Sequence, residues 1–241
     1  MLIAFLLIPQ ASVRLRYLPP IGQEIRYSVK TTLLTTGIAS QKDKTANTTS
    51  QVSLTATSRN GDITTCKELV INGQNGKSTI GVLKSTSTKK IDTLGRLISV
   101  AVGTNPEKPG SNFNKGVLFP DRAVKLRDSW SKQVSLNTVL GKKFTENVPE
   151  TIRAKYALVG LTNSTASISY SMVGDCKSAF LGRSKPGAPK RTLASHLNYS
   201  GVFVVKRSDG TVISTSMKIT IVSTEMGYRF VNKGSLELTR L

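Results

Sequence analysis

Histidine occurs once in the 241 residues and cysteine twice, against 34 lysines and arginines. These scarcities close off most site chemistry. Any catalytic or ligating imidazole must be His196, which follows Ser195 with no acid beside it in sequence and no nucleophile-elbow pattern around it. One histidine and two cysteines cannot supply a structural zinc site of the usual four-ligand type. The 14 acids are spread along the chain without the clustered aspartates of a calcium loop. Glu146 and Glu150 flank Pro149, and acid–base work would require burial that nothing around them suggests. The stretch Gly73 to Thr79 has two residues before its Gly-Lys-Ser where a phosphate loop needs four, and position 71 is Ile71. It reads as a hairpin turn. No catalytic residue, no metal ligand and no cofactor is therefore expected, and the chain does not read as an enzyme.

Aromatics make up 6% of the chain. Single-strand nucleic-acid readers interleave exposed aromatics with cations on strands. Here Tyr199, Phe203, Tyr228 and Phe230 lie near Lys206, Arg207 and Arg229, but core packing accounts for all four. Nucleic acid is not the expected partner. Long apolar runs are missing too. The longest, Leu2 to Ile8, is too short to span a bilayer, so no transmembrane segment is expected. Followed by Pro9-Gln10-Ala11-Ser12, it resembles the end of a secretory signal peptide lacking its charged n-region; the other reading is a buried first strand. Export, to the periplasm or beyond the cell, is the expected localisation.

What the chain does have is alternation. Val52, Leu54 and Ala56 interleave with Ser53, Thr55 and Thr57, and Gly, Asn, Asp and Pro interrupt every ten residues or so. Helical periodicity is nearly absent, apart from one candidate turn near Gly182 to Ser195. Strands are expected over 25–36, 51–58, 63–71, 85–92, 96–102, 129–140, 151–160, 166–173, 197–206, 211–222 and 228–238. Asn60-Gly61-Asp62 and Ser208-Asp209-Gly210 supply two of the turns. The fold class is all-β, with antiparallel meanders in a curved sheet or half-open barrel and little helix.

The pattern is stated twice. Pro19-Pro20-Ile21-Gly22 runs into Ile25 to Val29, and Pro120-Asp121-Arg122 runs into Trp130 to Val134; each half ends in a similar hairpin, at Leu94-Gly95-Arg96 and Asp209-Gly210-Thr211. This divides the chain into a leader (1–12), a first β repeat (13–104), a connection (105–117) and a second β repeat (118–241), the two repeats forming one continuous body.

Net charge is +20; it either draws a polyanion or anionic membrane surface or, being scattered along the chain, only keeps the protein soluble. The densest basic stretch, read as a loop, carries Lys177, Arg183, Lys185, Lys190, Arg191, Lys206 and Arg207 with no acid among them, and is the candidate anion-binding element. In an oxidising compartment Cys66 and Cys176 could pair and link the halves; the other reading is two separate buried thiols. Asp128-Ser129-Trp130 reads as a structural motif: Asp128 accepts backbone N–H groups in a turn, and Trp130, the only tryptophan, plugs one end of the core.

The run Leu118 to Trp130, with the Gly22 to Tyr27 spacing and the paired hairpins, resembles a family of exported bacterial proteins known only as a domain of unknown function. That family usually shows Gly-Asp-Ser-Trp where this chain has Arg127-Asp128-Ser129-Trp130. The resemblance implies an exported β protein and no particular activity. The expectation is a non-catalytic protein that binds an anionic lipid, polysaccharide or protein of the cell envelope, through a concave sheet face or the basic loop. The alternative is a structural subunit of a larger envelope complex.

Overall fold

The computed structural model describes residues 12–37, 43–74, 83–102, 117–135, 151–180, 191–225 and 228–241, with backbone alone at 72–74, 83–84, 102, 135, 151, 176–180, 191–193, 225 and 228. Eleven strands run in chain order: β1 Glu24–Thr36, β2 Lys44–Asn60, β3 Ile63–Gln74, β4 Leu83–Asp92, β5 Leu97–Val102, β6 Ser129–Ser135, β7 Thr151–Leu161, β8 Thr165–Phe180, β9 Arg191–Lys206, β10 Val212–Glu225 and β11 Tyr228–Arg240. No helix occurs among the described residues. All strands join one antiparallel sheet in the order β5-β4-β3-β2-β1-β11-β10-β9-β8-β7-β6. Two meanders thus meet where the first strand pairs with the last, Tyr27 opposite Arg240 through Thr36 opposite Val231. The sheet is curved and open, with β5 and β6 at its edges.

Alternation puts one face of every strand inward. Val52, Leu54 and Ala56 on β2 are buried, as are Ala166, Ile168, Tyr170 and Met172 on β8. Glycines help the inner face curve. A Cβ on Gly174 would sit 2.1 Å from the Ile152 side chain, and one on Gly201 would sit 2.3 Å from Ser216 O. With no side chain of their own, these positions let neighbours lie over the backbone.

Two straps close one end of the curl. The first, residues 13–22, precedes β1; the second, 117–124, precedes β6. They pair with each other at Val13 and Val124. Each then docks on the hairpin of the opposite meander. Leu18 N–H donates to Asp209 O between β9 and β10, and Phe119 N–H donates to Leu94 O between β4 and β5. The docking turns are built alike. Asp92 accepts Leu94 and Arg96 amides, Asp209 accepts the Thr211 amide, and a left-handed glycine follows in each, Gly95 and Gly210. The second strap also bridges the two sheet edges at this end, because Leu118 O accepts the Trp130 indole N–H at 2.8 Å. Leu15, Tyr17 and Phe119 are buried beneath these crossings and form a floor.

Several expectations are corrected. The stretch beginning at Lys177 is not a free loop: β8 and β9 pair without interruption from Thr165 opposite Lys206 to Phe180 opposite Arg191. Arg191 to Ser195 belong to β9, so the candidate helical turn does not reach them. The cysteine link is not made. Cys66 is a free, buried thiol on β3, whereas Cys176 is on β8, with five strands between them in the sheet. Residues 1–11, the connection at 103–116, and Glu146 and Glu150 lie outside the described residues, as does the hairpin-turn reading beyond Gln74.

Candidate functional site

Above the floor the inner face reads row by row across the sheet. Four aromatic rings lie next above the floor. Trp130 stacks on Tyr156 at 5.7 Å, Tyr156 tilts against Tyr170 at 5.3 Å, and Tyr170 meets Phe203 edge-on at 5.8 Å. Trp130, Tyr156 and Tyr170 stand opposite one another across β6, β7 and β8, and Phe203 on β9 is the diagonal neighbour of Tyr170. Toward the other end of β1, β11 and β10 the lining changes. Ile219 and Ile221 there are packed against the core yet only half-buried; Val29 and Leu236, also half-buried, lie level with Phe203 and with Tyr170. Leu33, in the same row as Ile219, is 38% exposed. An apolar band thus stays accessible on the inner face, opposite the sealed end.

One charged pair breaks this lining. Lys89 Nζ on β4 lies 2.6 Å from Glu68 Oε2 on β3, and the two side chains are 2% and 1% exposed. Ser87 Oγ donates to Glu68 Oε1 at 3.4 Å. Burial pushes the Lys89 ammonium below its ordinary pKa, while Glu68 pulls the other way. Beside it, Cys66 Sγ is 3.9 Å from the Tyr17 hydroxyl, and burial raises that thiol's pKa. Nothing in the sequence marked Lys89 or Glu68. Only the inward parity of both strands, seen once their register is known, places them inside.

The seven basic residues chosen from sequence do not form one patch. Lys177 and Arg191 lie toward one end of the β8–β9 hairpin and Lys206 and Arg207 at the other; fifteen residue steps along β9 are about 50 Å. Arg183, Lys185 and Lys190 lie outside the described residues. The described cations gather instead on the outer face: Lys30, Lys67, Lys90, Lys155, Lys218 and Lys233 are all exposed there, set among serines and threonines.

His196 does have an acid. Its Nδ1 lies 2.8 Å from Asp175 Oδ1, across the β8–β9 ladder. Both side chains are exposed on the outer face, while Ser195 points inward to Ser223 at 2.8 Å. Imidazole and adjacent hydroxyl are therefore on opposite faces and do not form a triad. No cluster of metal-ligating side chains occurs among the described residues, and no helix among them is long and apolar enough to cross a membrane.

Asp128 Oδ2 accepts the Lys125 amide and an Arg122 guanidinium N–H, each at 3.1 Å; these bonds hold its carboxyl below the usual pKa. Arg127, beside it, is the one described non-glycine residue in the left-handed region, at φ 75°. Arg127→Gly is expected to raise stability by about 0.5–1 kcal/mol, the left-handed strain relieved less the backbone entropy of glycine. Urea denaturation checks this; a loss of stability would mean that the arginine side chain outweighs its strain.

No known family model matches the chain, and no curated protein does. Among solved structures, two mutants of Rh. blastica porin align at 8% identity and a TM-score of 0.30, over 91% of this chain and 99% of theirs.

Proposed function

We propose that this chain is a non-catalytic, exported binding protein that holds an anionic amphiphile of the cell envelope, its acyl part lying on the inner sheet face. The accessible inner-face group of Leu33, Ile219 and Ile221, beyond the aromatic rings from the sealed end, carries the reading, because it offers an apolar surface for an acyl chain to cover. The net charge of +20 supports an anionic head group.

Native mass spectrometry of the chain, recovered from its own envelope without detergent, tests this. The expected spectrum is a monomer with a discrete adduct of lipid mass. Leu33→Lys places an ammonium in the band at an already exposed position. It should lower affinity for a fluorescent acyl probe by at least tenfold while the melting temperature is kept. An apo spectrum, together with probe binding that ignores Leu33→Lys, would overturn the reading.

A sheet edge left unpaired among the described strands favours a second reading, that of an assembly subunit. β5 ends the sheet, carries no charge or proline, and exposes Ile98 and Val100. An oligomer free of lipid in the same spectrum would support that reading.

A further inference from the structure

The outer face of β2, β3 and β4 holds a trough of about 380 Å³, lined by the outward Ser53, Thr55, Lys67, Leu69, Thr86 and Thr88 and, between them, by Glu68 and Ser87, whose side chains are buried on the other face. Register explains the lining. Ser53, Leu69 and Thr86 stand opposite one another in one row, and Thr55, Lys67 and Thr88 in the next. Two rows of three thus surround one ammonium with four hydroxyls over a leucine. Ser53 bonds Glu24, itself occupied by Arg26. The side chains of Thr55, Lys67, Thr86 and Thr88 make no polar contact among the described residues.

We propose that this trough binds an anionic saccharide unit, its hydroxyls meeting the threonines and its carboxylate or other acid group meeting Lys67. Three observations select that chemistry. The volume lies at the lower end of small-molecule sites and suits one or two sugar rings. The hydroxyls and the ammonium are matched by a ligand that is itself a polyol with a negative charge. No aromatic ring faces the trough, which removes the stacking surface a nucleobase would use. The trough is on the opposite face from the proposed acyl site, so the two can be separated experimentally.

The test is calorimetric titration of the full chain with trigalacturonate at about 0.15 M salt, where the Debye length is about 8 Å. Lys67→Glu is expected to weaken binding about tenfold, and Thr86→Val with Thr88→Val at least threefold. Lys218→Glu makes the same charge change on the same face, four strands across (about 19 Å) and eight residue steps along them (about 26 Å). It should change binding by less than twofold. All these side chains are outward, and a melting curve for each variant confirms folding. Acyl-probe binding should be unaffected by Lys67→Glu. Wild-type chain that shows no saturable binding would overturn the proposal, as would Lys218→Glu costing as much as Lys67→Glu, which would mean diffuse attraction alone. Inorganic phosphate displacing the sugar at equal concentration would also overturn it, leaving a simple anion site.

Discussion

Lys89→Met, made alone, is expected to cost about 3–5 kcal/mol of folding stability, because it strands the Glu68 carboxylate inside the sheet without its partner. Lys89→Met combined with Glu68→Leu should recover most of that loss. Desolvation decides the balance. Burial lowers the lysine pKa even with a carboxylate 2.6 Å away, so the folded chain holds that proton less tightly than the unfolded chain does. The pair is then a device for specificity more than a source of stability. β4 has a weak apolar pattern: its inward positions from Ser85 onward are Ser85, Ser87, Lys89 and Ile91. A one-residue slip of this strand would lose little hydrophobic burial, whereas it would carry Lys89 to the outer face and leave Glu68 without its ammonium. Urea denaturation of the two variants decides the matter. A single variant losing less than about 1 kcal/mol would mean that water or a rearranged partner compensates Glu68. A double variant as unstable as the single would mean that the pair itself holds β3 to β4.

The strands were legible from sequence because period-2 alternation with Gly, Asn and Asp turns is a local signal. Ile63–Gln74, Leu97–Val102 and Tyr228–Arg240 begin within a residue of where the alternation begins. Their lengths were less legible. β2 starts at Lys44 and β8 runs to Phe180, in stretches with few apolar residues, where pairing with a long neighbour decides. What sequence could not give was contact across the sheet. Asp175 and His196 are neighbours only through the β8–β9 register, and the dense basic stretch is split by that same register. Cations scattered in sequence, such as Lys67, Lys218 and Lys233, share a face because parity along each strand sends them outward. Density along the chain was the wrong measure for a sheet, in which every second residue is on the other side.

Gly210→Val is the second change with a large expected effect, about 4 kcal/mol or more, enough to leave a marginal domain unfolded. Gly210 has φ 67°, and a Cβ there would sit 2.1 Å from Arg16 O and 2.7 Å from Arg16 C, which are backbone atoms of the first strap that cannot move aside alone. Two costs therefore add: the left-handed conformation for a β-branched residue, and the expulsion of the strap that carries Leu15 and Tyr17 into the floor. Gly22→Ala separates them. Gly22 also has positive φ, at 79°, but nothing lies within 4 Å of its would-be Cβ, so only the conformational cost of about 1 kcal/mol applies. Gly95→Val should resemble Gly210→Val, since its Cβ would meet Val117 O of the second strap at 2.5 Å. Each half of the chain supplies the strap that seats on the other half's hairpin, so unseating either one opens the same floor. Melting curves with an apolar dye report both consequences together. Gly210→Ala and Gly95→Ala should melt well below Gly22→Ala and bind dye while strand content remains. If all three alanine variants melt alike, the straps rest on the hairpins without holding them, and the floor draws its stability from Leu15, Tyr17 and Phe119 alone.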